Sequence, residues 1–471
     1  MSRQLGQSRL SIMWRLAWPA IIEQILATMV SYVDTAMVGA LGKTASAAVS
    51  VNAAPMWLIN GVLAGVATGY AVQVSHAVGA GDDEQAKSVI RQGVLASVFC
   101  GLAAFALYRS LAHFLPMWLG AVEPVLGEAR SYLKVYTYCL IFEGGSAIFS
   151  AILRCMGNTK TPLILNTASN VINIILNFFF IYPTRTATFF GHTIVIPSAG
   201  MGVTGAALGT VFAWAFAGIV TLLAALRQGD RYSIQKGESF KPDKAIITTA
   251  VKLGLPSAAE RAMVNVGQVA MTGVVAAIDD GMSLAANTIA TTAEGLCYLP
   301  AYGIAAASTA MVGQSVGAEN KEDARAYGAL SAKLGFLLCI GTSICLFLFA
   351  YPLASLFNTD LEVVAEAARM LRIVSVSEPF FALSIIYTGA LRGARDVRFP
   401  MVVGLIAMWG VRIPLAPLLV FVFKLGLAGV WIAMAADLIL RGILCTLRWR
   451  GTRWERRAFA PAPVPAPETG D

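Results

Sequence analysis

The ten residues VGAGDDEQAK at 78–87 return in the second half of the chain as VGAENKEDAR at 316–325. Three further pairs of segments keep the same order and nearly the same displacement: 19–23 with 256–260, 153–162 with 391–400, and 202–206 with 426–430. The last pair is displaced by less, because the first half has a longer loop, from Pro183 to Gly200. Four matches in one order indicate that the chain is an internal duplication.

The composition assigns the duplicated unit to a membrane. Of 471 residues, 57% are hydrophobic and 13% charged, and the mean hydropathy is +0.68, whereas soluble domains carry about 25% charged residues. Apolar runs recur from Trp14 to Leu447, each of roughly 20 residues, the length that crosses a hydrocarbon core of about 30 Å as a helix. We therefore predict an all-α polytopic membrane protein, because the runs are too long for the strands of a membrane β-barrel.

About twelve apolar runs divide evenly between the two halves. They lie near residues 14–40, 47–78, 89–111, 127–153, 162–182 and 200–226, and then near 245–278, 284–315, 328–352, 362–390, 400–423 and 427–447. Six spans bring a half back to its starting side, so the repeat is parallel, with its axis along the membrane normal. We predict two six-helix lobes, 1–226 and 245–450, joined by a linker at 227–244 and followed by a disordered tail at 451–471 that is rich in Ala-Pro.

The net charge of +8, from 35 basic and 27 acidic residues, is an orientation signal. Alternate loops on one side hold most of the basic residues: Arg3, Arg9, Lys87, Arg91, Arg154, Lys160, Lys321, Arg325, Arg392, Arg395, Arg398, Arg448, Arg450, Arg453, Arg456 and Arg457. The positive-inside rule makes that side cytoplasmic, so both termini are expected in the cytoplasm and the protein in the cell inner (plasma) membrane. A nucleic-acid partner is not expected.

Asp34 is the strongest candidate for a functional residue. A carboxylate at the bilayer centre costs about 2.5–3.5 kcal/mol on insertion scales, so acids inside spans are functional candidates. Asp34 has no basic neighbour in the stretch SYVDTAMVG at 31–39. It shares a helical face with Glu23, and we predict that it can load and release a proton. An acid near the outer helix end that simply meets water is the alternative.

A polar stripe on the fifth apolar run provides a surface to face Asp34. The side chains of Asn166, Asn170, Asn173 and Asn177 are spaced by four, three and four residues, which aligns them on one face of a helix. These amides are candidates to bond the Asp34 carboxyl and a ligand. Amides between membrane helices also act as structural links, and both roles stay open.

Three acids interrupt the apolar runs of the second lobe. Glu260 aligns with Glu23 of the first lobe, which favours a shared structural role, whereas Glu294 and Glu378 have no counterpart and are ligand candidates. Asp437 and Arg441 are four residues apart and are predicted to pair with each other.

Enzymatic and metal chemistry have little support in the sequence. Seven cysteines stand singly, and His76, His113 and His192 lie on different segments, so no metal site or cofactor is predicted. No nucleophile motif or phosphate-binding loop is present, so the protein is not expected to be an enzyme. A membrane-embedded transferase would need clustered catalytic acids or histidines.

Several stretches in this order resemble the multidrug and toxic compound extrusion (MATE) family, over roughly residues 10–450. They are Pro19 with VDTAMVGALG at 33–42, VGAG at 78–81, the duplicated Leu-Arg to Pro loops, and MGVTGAA at 201–207; WGVRIPLA at 409–416 is similar to a NorM-like bacterial branch. The resemblance implies a cation-coupled antiporter that exports amphipathic, often cationic organic compounds by alternating access. Its partners are small organic substrates and membrane lipid, and we expect it to act as a monomer.

The resemblance also implies roles for individual residues. Asp34 matches the first-span acid used for cation coupling, Pro19 a bend in that helix, and Tyr132, Asn173 and Asn177 positions around the acid. Some members carry Asp where Asn177 stands, and second-lobe acids used for sodium elsewhere fall at Val264 and Phe381. A proton is therefore preferred over sodium as the coupling ion. Related lipid-linked oligosaccharide or lipid flippases are the alternative function, for which Arg261 and Arg412 are the candidate anion ligands.

Overall fold

The computed structural model describes residues 8–189, 192–227, 232, 238, 240–278 and 281–459. In this part of the chain, the first half contains eight helices and one hairpin: α1 (Arg9–Gly39), α2 (Lys43–Ala80), α3 (Asp83–Leu111), α4 (Leu115–Trp118), α5 (Val125–Tyr136), α6 (Cys139–Cys155), α7 (Lys160–Ile181), β1 (Pro183–Phe189), β2 (His192–Ala199) and α8 (Gly202–Leu226).

The second half repeats this order without the hairpin, except that two helices take the place of α2 and one short helix is added at its end. Its helices are α9 (Lys244–Ala276), α10 (Met282–Glu294), α11 (Leu299–Gly317), α12 (Lys321–Leu348), α13 (Ala350–Ser355), α14 (Leu361–Ser375), α15 (Glu378–Gly393), α16 (Arg398–Val422), α17 (Leu427–Arg450) and α18 (Arg453–Ala458).

The described helices give up to eleven membrane spans by length and composition, and a twelfth by its place in the repeat. Eight single helices are long and apolar enough to cross a membrane, and three more spans are pairs bent at a short break: α5 with α6 by 51°, α10 with α11 by 46°, and α14 with α15 by 55°. The twelfth is α9, assigned by its place as the repeat counterpart of α1; its 33 residues extend about 50 Å at about 1.5 Å per residue. The predicted all-α architecture with about twelve spans is confirmed.

The repeated decapeptide forms the same turn in both lobes. The backbone N–H of Asp82 bonds the Ala77 carbonyl at 3.0 Å, and that of Asn320 bonds the Ser315 carbonyl at 2.9 Å, which ends α2 and α11 with the six-to-one bond of a Schellman motif. The Asp82 and Asn320 side chains then cap α3 and α12. Glu319, at φ 56°, takes the left-handed position that Gly81 fills in the first lobe.

The two lobes pack through contacts that the repeat relates to each other. A Cβ built on Gly65 of α2 would lie 2.5 Å from the Cβ of Ala258 on α9, and one built on Gly303 of α11 would lie 2.5 Å from the backbone nitrogen of Ile21 on α1. Gly65 and Gly303 occupy equivalent positions of the repeat, as do Ile21 and Ala258. Glycine at both positions lets two helix backbones approach closely, as small residues do in membrane bundles.

A second symmetric set of contacts closes the side on which α2 and α11 end; we call it the seam. His76 Nε2 lies 2.7 Å from the Gly393 carbonyl oxygen, and Gln314 Nε2 donates to the Cys155 carbonyl at 2.7 Å. His76 and Gln314 are again equivalent positions of the repeat, as are Cys155 and Gly393. A side chain of α2 therefore contacts the end of α15 in the other lobe, and a side chain of α11 contacts the end of α6.

The prediction of an all-α chain lacked the hairpin between α7 and α8. The strands β1 and β2 pair antiparallel, with Arg185 opposite Ile196. A two-stranded ribbon forms here because the first-lobe loop is long enough to turn back on itself, and the shorter second-lobe loop is not.

The predicted disordered tail is wrong for residues 451–459. The Trp454 ring is fully buried in α18 and stacks on Trp449 with ring centroids 4.2 Å apart. Arg457 and Arg448 both pair with the buried carboxylate of Asp396, at 2.5 and 2.7 Å. These contacts hold the start of the tail against the second lobe. Residues 460–471 and most of the predicted linker at 227–244 lie outside the described residues.

Candidate functional site

The first lobe contains an open cavity of about 640 Å³ between α1, α2, α5, α6, α7 and α8; we call it the first-lobe cavity. Its polar lining includes most of the residues selected from the sequence: Asp34, Tyr132, Asn166, Asn170, Asn173 and Asn177. The helical spacing of the amides thus aims all four at the same space as the acid.

Asp34 is bound by amides and not, among the described residues, by a basic side chain. Asn177 Nδ2 donates to Asp34 Oδ1 at 3.0 Å. The Asn173 oxygen faces the backbone N–H of Thr210 at 3.2 Å, because the reverse orientation would place it against the carboxylate; the Asn173 nitrogen then lies 2.9 Å from both Asp34 oxygens. The Asp34 carboxyl on α1 is therefore linked to α7 by the neutral amides of Asn173 and Asn177.

Asn177 sits against the backbone of α8. A Cβ at Gly209 would lie 2.1 Å from Asn177 Oδ1, so glycine is needed for α8 to pass the amide. That oxygen is buried without a hydrogen-bond donor in the described part of the molecule, so it could accept from a protonated Asp34 if the amide turned.

The amide stripe divides between two acids. Asn166, at the opposite end of the stripe from Asn177, donates through Nδ2 to Glu23 Oε1 at 2.6 Å. Glu23 also accepts from Arg154 Nη1 at 2.9 and 3.1 Å. Glu23 is therefore neutralised, whereas Asp34 on the same helix face is not.

Glu260 of the second lobe repeats the Glu23 arrangement. Its Oε2 pairs with Arg392 Nη2 at 2.9 Å, and Glu260 and Arg392 occupy the repeat positions of Glu23 and Arg154. The pairing supports the structural role that the alignment of the two glutamates favoured.

Tyr132 and Pro19 differ in their relation to the cavity. The Tyr132 ring lines it and stacks on Tyr136, with ring centroids 6.0 Å apart. Pro19 is buried within α1, four residues before Glu23 and outside the residues that form the lining.

Glu294 and Glu378 lie in a separate buried cluster of the second lobe. Glu294 ends α10 and Glu378 begins α15, each at the bend of a two-helix span, and the two carboxyls are close enough to interact. Asp437 pairs with Arg441, as predicted, and lies 3.8 Å from Arg412. Arg412 stands at the end of a π-helical stretch, Ile406–Arg412, which a sequence pattern does not reveal.

Glu143 is a further cavity residue, which was not among the candidates predicted from the sequence. It lies on α6, is 4% exposed, and lines the first-lobe cavity together with Asp34. The signal was present, since Glu143 is an acid within the apolar run at 127–153 and the cost of intramembrane acids applies to it equally. Among the described residues, no group of three or more His, Cys, Asp or Glu side chains is placed to hold a metal ion.

The bundle and its cavity define a multi-pass membrane transporter built from two repeated lobes. A family model described as MatE matches residues 19–179 and again 256–418, so the two matches begin at equivalent prolines of the repeat, Pro19 and Pro256. The chain belongs to the MatE family.

Relatives and solved structures cover almost the whole chain. The chain is 31% identical to a probable multidrug resistance protein NorM of Thermotoga maritima, over 94% of this chain and 93% of that protein. It is 25% identical to a probable multidrug resistance protein NorM of Neisseria meningitidis serogroup B, over 91% of both. Among solved structures, a MATE protein in complex with MaL6 superposes with a TM-score of 0.88 at 21% identity, over 97% of this chain and 98% of that one.

Proposed function

We propose that the protein is a cation-coupled multidrug efflux antiporter that exchanges protons for amphipathic, often cationic organic compounds. One observation carries the coupling assignment: Asp34 faces a cavity of about 640 Å³ and is bound by Asn173 and Asn177, with no basic partner among the described residues. The relatives described as multidrug resistance proteins support the substrate class.

The donors around Asp34 favour a proton over sodium as the coupling ion. A sodium ion would need several oxygen ligands, and the Asn173 and Asn177 amides turn N–H groups toward the carboxylate instead. A proton binds the carboxylate itself, and the resulting O–H needs one acceptor, which Asn177 Oδ1 can provide when the amide turns, since this oxygen has no donor in the described part of the chain.

Protonation changes the link between α1 and α7. The ionised carboxyl accepts from both amides, whereas the protonated one must donate through its own hydroxyl, so the amides turn or the helices shift. The mechanism then uses two packings of the first lobe. One releases the organic cation on the outer side, and deprotonation of Asp34 on the inner side restores the other. One proton crossing about 100 mV releases about 2.3 kcal/mol, but a monovalent organic cation that leaves in exchange costs the same amount. One-for-one exchange is therefore driven by the pH difference, which supports about a tenfold gradient per pH unit at about 1.4 kcal/mol per tenfold.

The charge of the cavity favours export of cations over the flippase alternative. A pyrophosphate-linked lipid needs cationic ligands, and the basic residue of the described lining, Arg154, is bound by Glu23. The two candidate anion ligands of the second lobe do not line this cavity: Arg412 is beside Asp437 and Glu294, and Arg261 is buried beside Glu260. We further propose that the protein acts as a monomer in the inner membrane with both termini in the cytoplasm, in keeping with the alternate basic loops.

Transport under separately imposed gradients tests the coupling ion. The purified protein is reconstituted in proteoliposomes, and ethidium movement is followed under a pH gradient, under a sodium gradient, and under neither. We expect uphill movement with the pH gradient alone. Uphill movement driven only by sodium would overturn the proton assignment, and no driven movement under either gradient would overturn the antiporter.

A further inference from the structure

The charges in the first-lobe cavity do not balance. Its described lining contains three acids, Glu23, Asp34 and Glu143, and one basic side chain, Arg154. Arg154 is bound to Glu23 through two contacts at 2.9 and 3.1 Å. Two carboxyls of this lining therefore remain without a basic partner: Asp34, which two amides bind, and Glu143.

In the described part of the chain, Glu143 is not held by hydrogen-bond donors in the way that Asp34 and Glu23 are. Its Oε2 is buried without a hydrogen-bond donor in the described part of the chain. The nearby Tyr108 hydroxyl donates to the Pro55 carbonyl at 2.7 Å and is engaged there. Glu143 lies on the second turn of α6, five residues after the bend at Tyr138 that separates α5 from α6, inside the membrane span.

A carboxylate in this position needs a partner from outside the protein. A buried ion without a counter-charge is costly, and in practice such a group is neutralised by a proton or paired with a cation. Because Glu143 lines an open cavity, both a proton and a ligand have access to it. A purely structural acid would be expected to bond a backbone or side-chain donor, as Glu23 does.

The surroundings fit the apolar body of an organic cation. Between the two free acids stand Tyr132, which is close to Asp34, and Tyr136, which is close to Glu143, with their rings stacked. Further along the lining are three large apolar side chains: Met56, Trp57 and Trp214. Aromatic rings attract organic cations as well as apolar surface.

We propose that Glu143 is a second exchange site, which binds the positive group of the organic cation in place of its own proton. The carboxyl O–H bond breaks, the proton leaves to water, and an ion pair forms with the nitrogen-centred charge of the ligand, so the charge at the site is unchanged. Asp34 remains the site that couples to the gradient. This proposal rests on the proposed export of organic cations and adds a binding residue to it.

Equilibrium binding without any gradient tests this site separately from coupling. The probes are ethidium and dihydroethidium, its uncharged reduced form, the latter handled under nitrogen. We expect Glu143→Gln to weaken ethidium binding at least tenfold and to leave dihydroethidium binding within twofold of wild type, which also shows that the variant is folded. Glu143→Asp should recover part of the ethidium affinity.

Proton release gives a second readout. In weakly buffered detergent solution with a pH indicator, ethidium binding to the wild-type protein should release protons, and Glu143→Gln should release fewer. Equal ethidium affinity and equal proton release in wild type and Glu143→Gln would overturn the Glu143 site while leaving Asp34 coupling intact. A wild-type protein that binds no ethidium would overturn this site and the proposed function together.

Discussion

Glu23 on α1 and Arg154 on α6 form an ion pair at 2.9 Å inside the first lobe, and the duplication repeats it in the second lobe as Glu260 with Arg392, also at 2.9 Å. The acid stands one helical turn after the helix proline in each case, Pro19 and Pro256. A pair that both lobes retain is expected to join the first and fourth spans of a lobe.

Removing one partner of that pair should destabilise the protein more than removing both. Breaking a buried pair leaves a charge without a partner and costs about 3–5 kcal/mol, whereas replacing both partners by apolar groups is often neutral. We expect Arg154→Met to lower the midpoint of thermal unfolding in detergent and the added Glu23→Leu to restore most of the loss. Equal midpoints for wild type and Arg154→Met would contradict the assignment.

Asn177 should be needed for coupling but not for folding. Its amide bonds Asp34 at 3.0 Å, so Asn177→Ala removes a link between α1 and α7 that responds to protonation. We expect pH-driven ethidium transport to fall at least tenfold, with the midpoint of thermal unfolding little changed. The matched control is Asn358→Ala, in the loop before α14, which should transport as wild type. Normal transport by Asn177→Ala would remove Asn177 from the coupling site.

The seam should close only if Gly79 stays small. A Cβ at Gly79 of α2 would lie 2.0 Å from the Gln314 carbonyl oxygen, so Gly79→Leu should hold the lobes apart beside Cys155. With the other six cysteines replaced by alanine, we expect a water-soluble maleimide to label Cys155 faster in this variant.

A leucine elsewhere on a helix serves as the control for the seam. A Cβ at Gly273 of α9 meets nothing within 4 Å, so Gly273→Leu should label at the wild-type rate. Slow labelling of Cys155 in Gly79→Leu, equal to that of the control, would show that the seam does not depend on this contact.

The short helix α18 should contribute to the stability of the second lobe. Trp454 is fully buried and stacks on Trp449, and large-to-small changes of buried tryptophan cost about 3–5 kcal/mol. We expect Trp454→Ala to lower the midpoint of thermal unfolding clearly. If Trp454→Ala unfolds at the same temperature as wild type, the packing of α18 does not stabilise the second lobe.

The duplication and the apolar runs were enough to predict the two lobes and their spans, because each span must satisfy its own backbone and the repeat fixes the order. The same reasoning aligned Asp34 with the amide stripe, since helical spacing alone places Asn173 and Asn177 on one face. Helical spacing and the repeat do not predict which residues from distant spans pair with each other. Nothing in the local sequence of Glu23 or Glu260 indicates that each lies beside an arginine from a distant span of the same lobe.

Two features were not predicted from the sequence, each for a separate physical reason: the order of residues 451–459 and the position of Glu143 in the cavity. The order of residues 451–459 depends on Trp454 and Arg457 finding Trp449 and the buried Asp396, and composition cannot report such tertiary contacts. Glu143 lay within reach of the intramembrane-acid rule, but its importance appears only when α6 is folded into the lobe and shares a cavity with Asp34.

The most direct test of proton coupling through Asp34 is ethidium transport by Asp34→Asn in proteoliposomes, with Asp360→Asn, a change at the helix cap of α14, as the matched control. Downhill exchange and pH-driven uphill transport are measured on the same preparation. The proposed mechanism predicts that Asp34→Asn retains downhill exchange of ethidium and loses uphill transport, while Asp360→Asn retains both. Full pH-driven uphill transport by Asp34→Asn would contradict it.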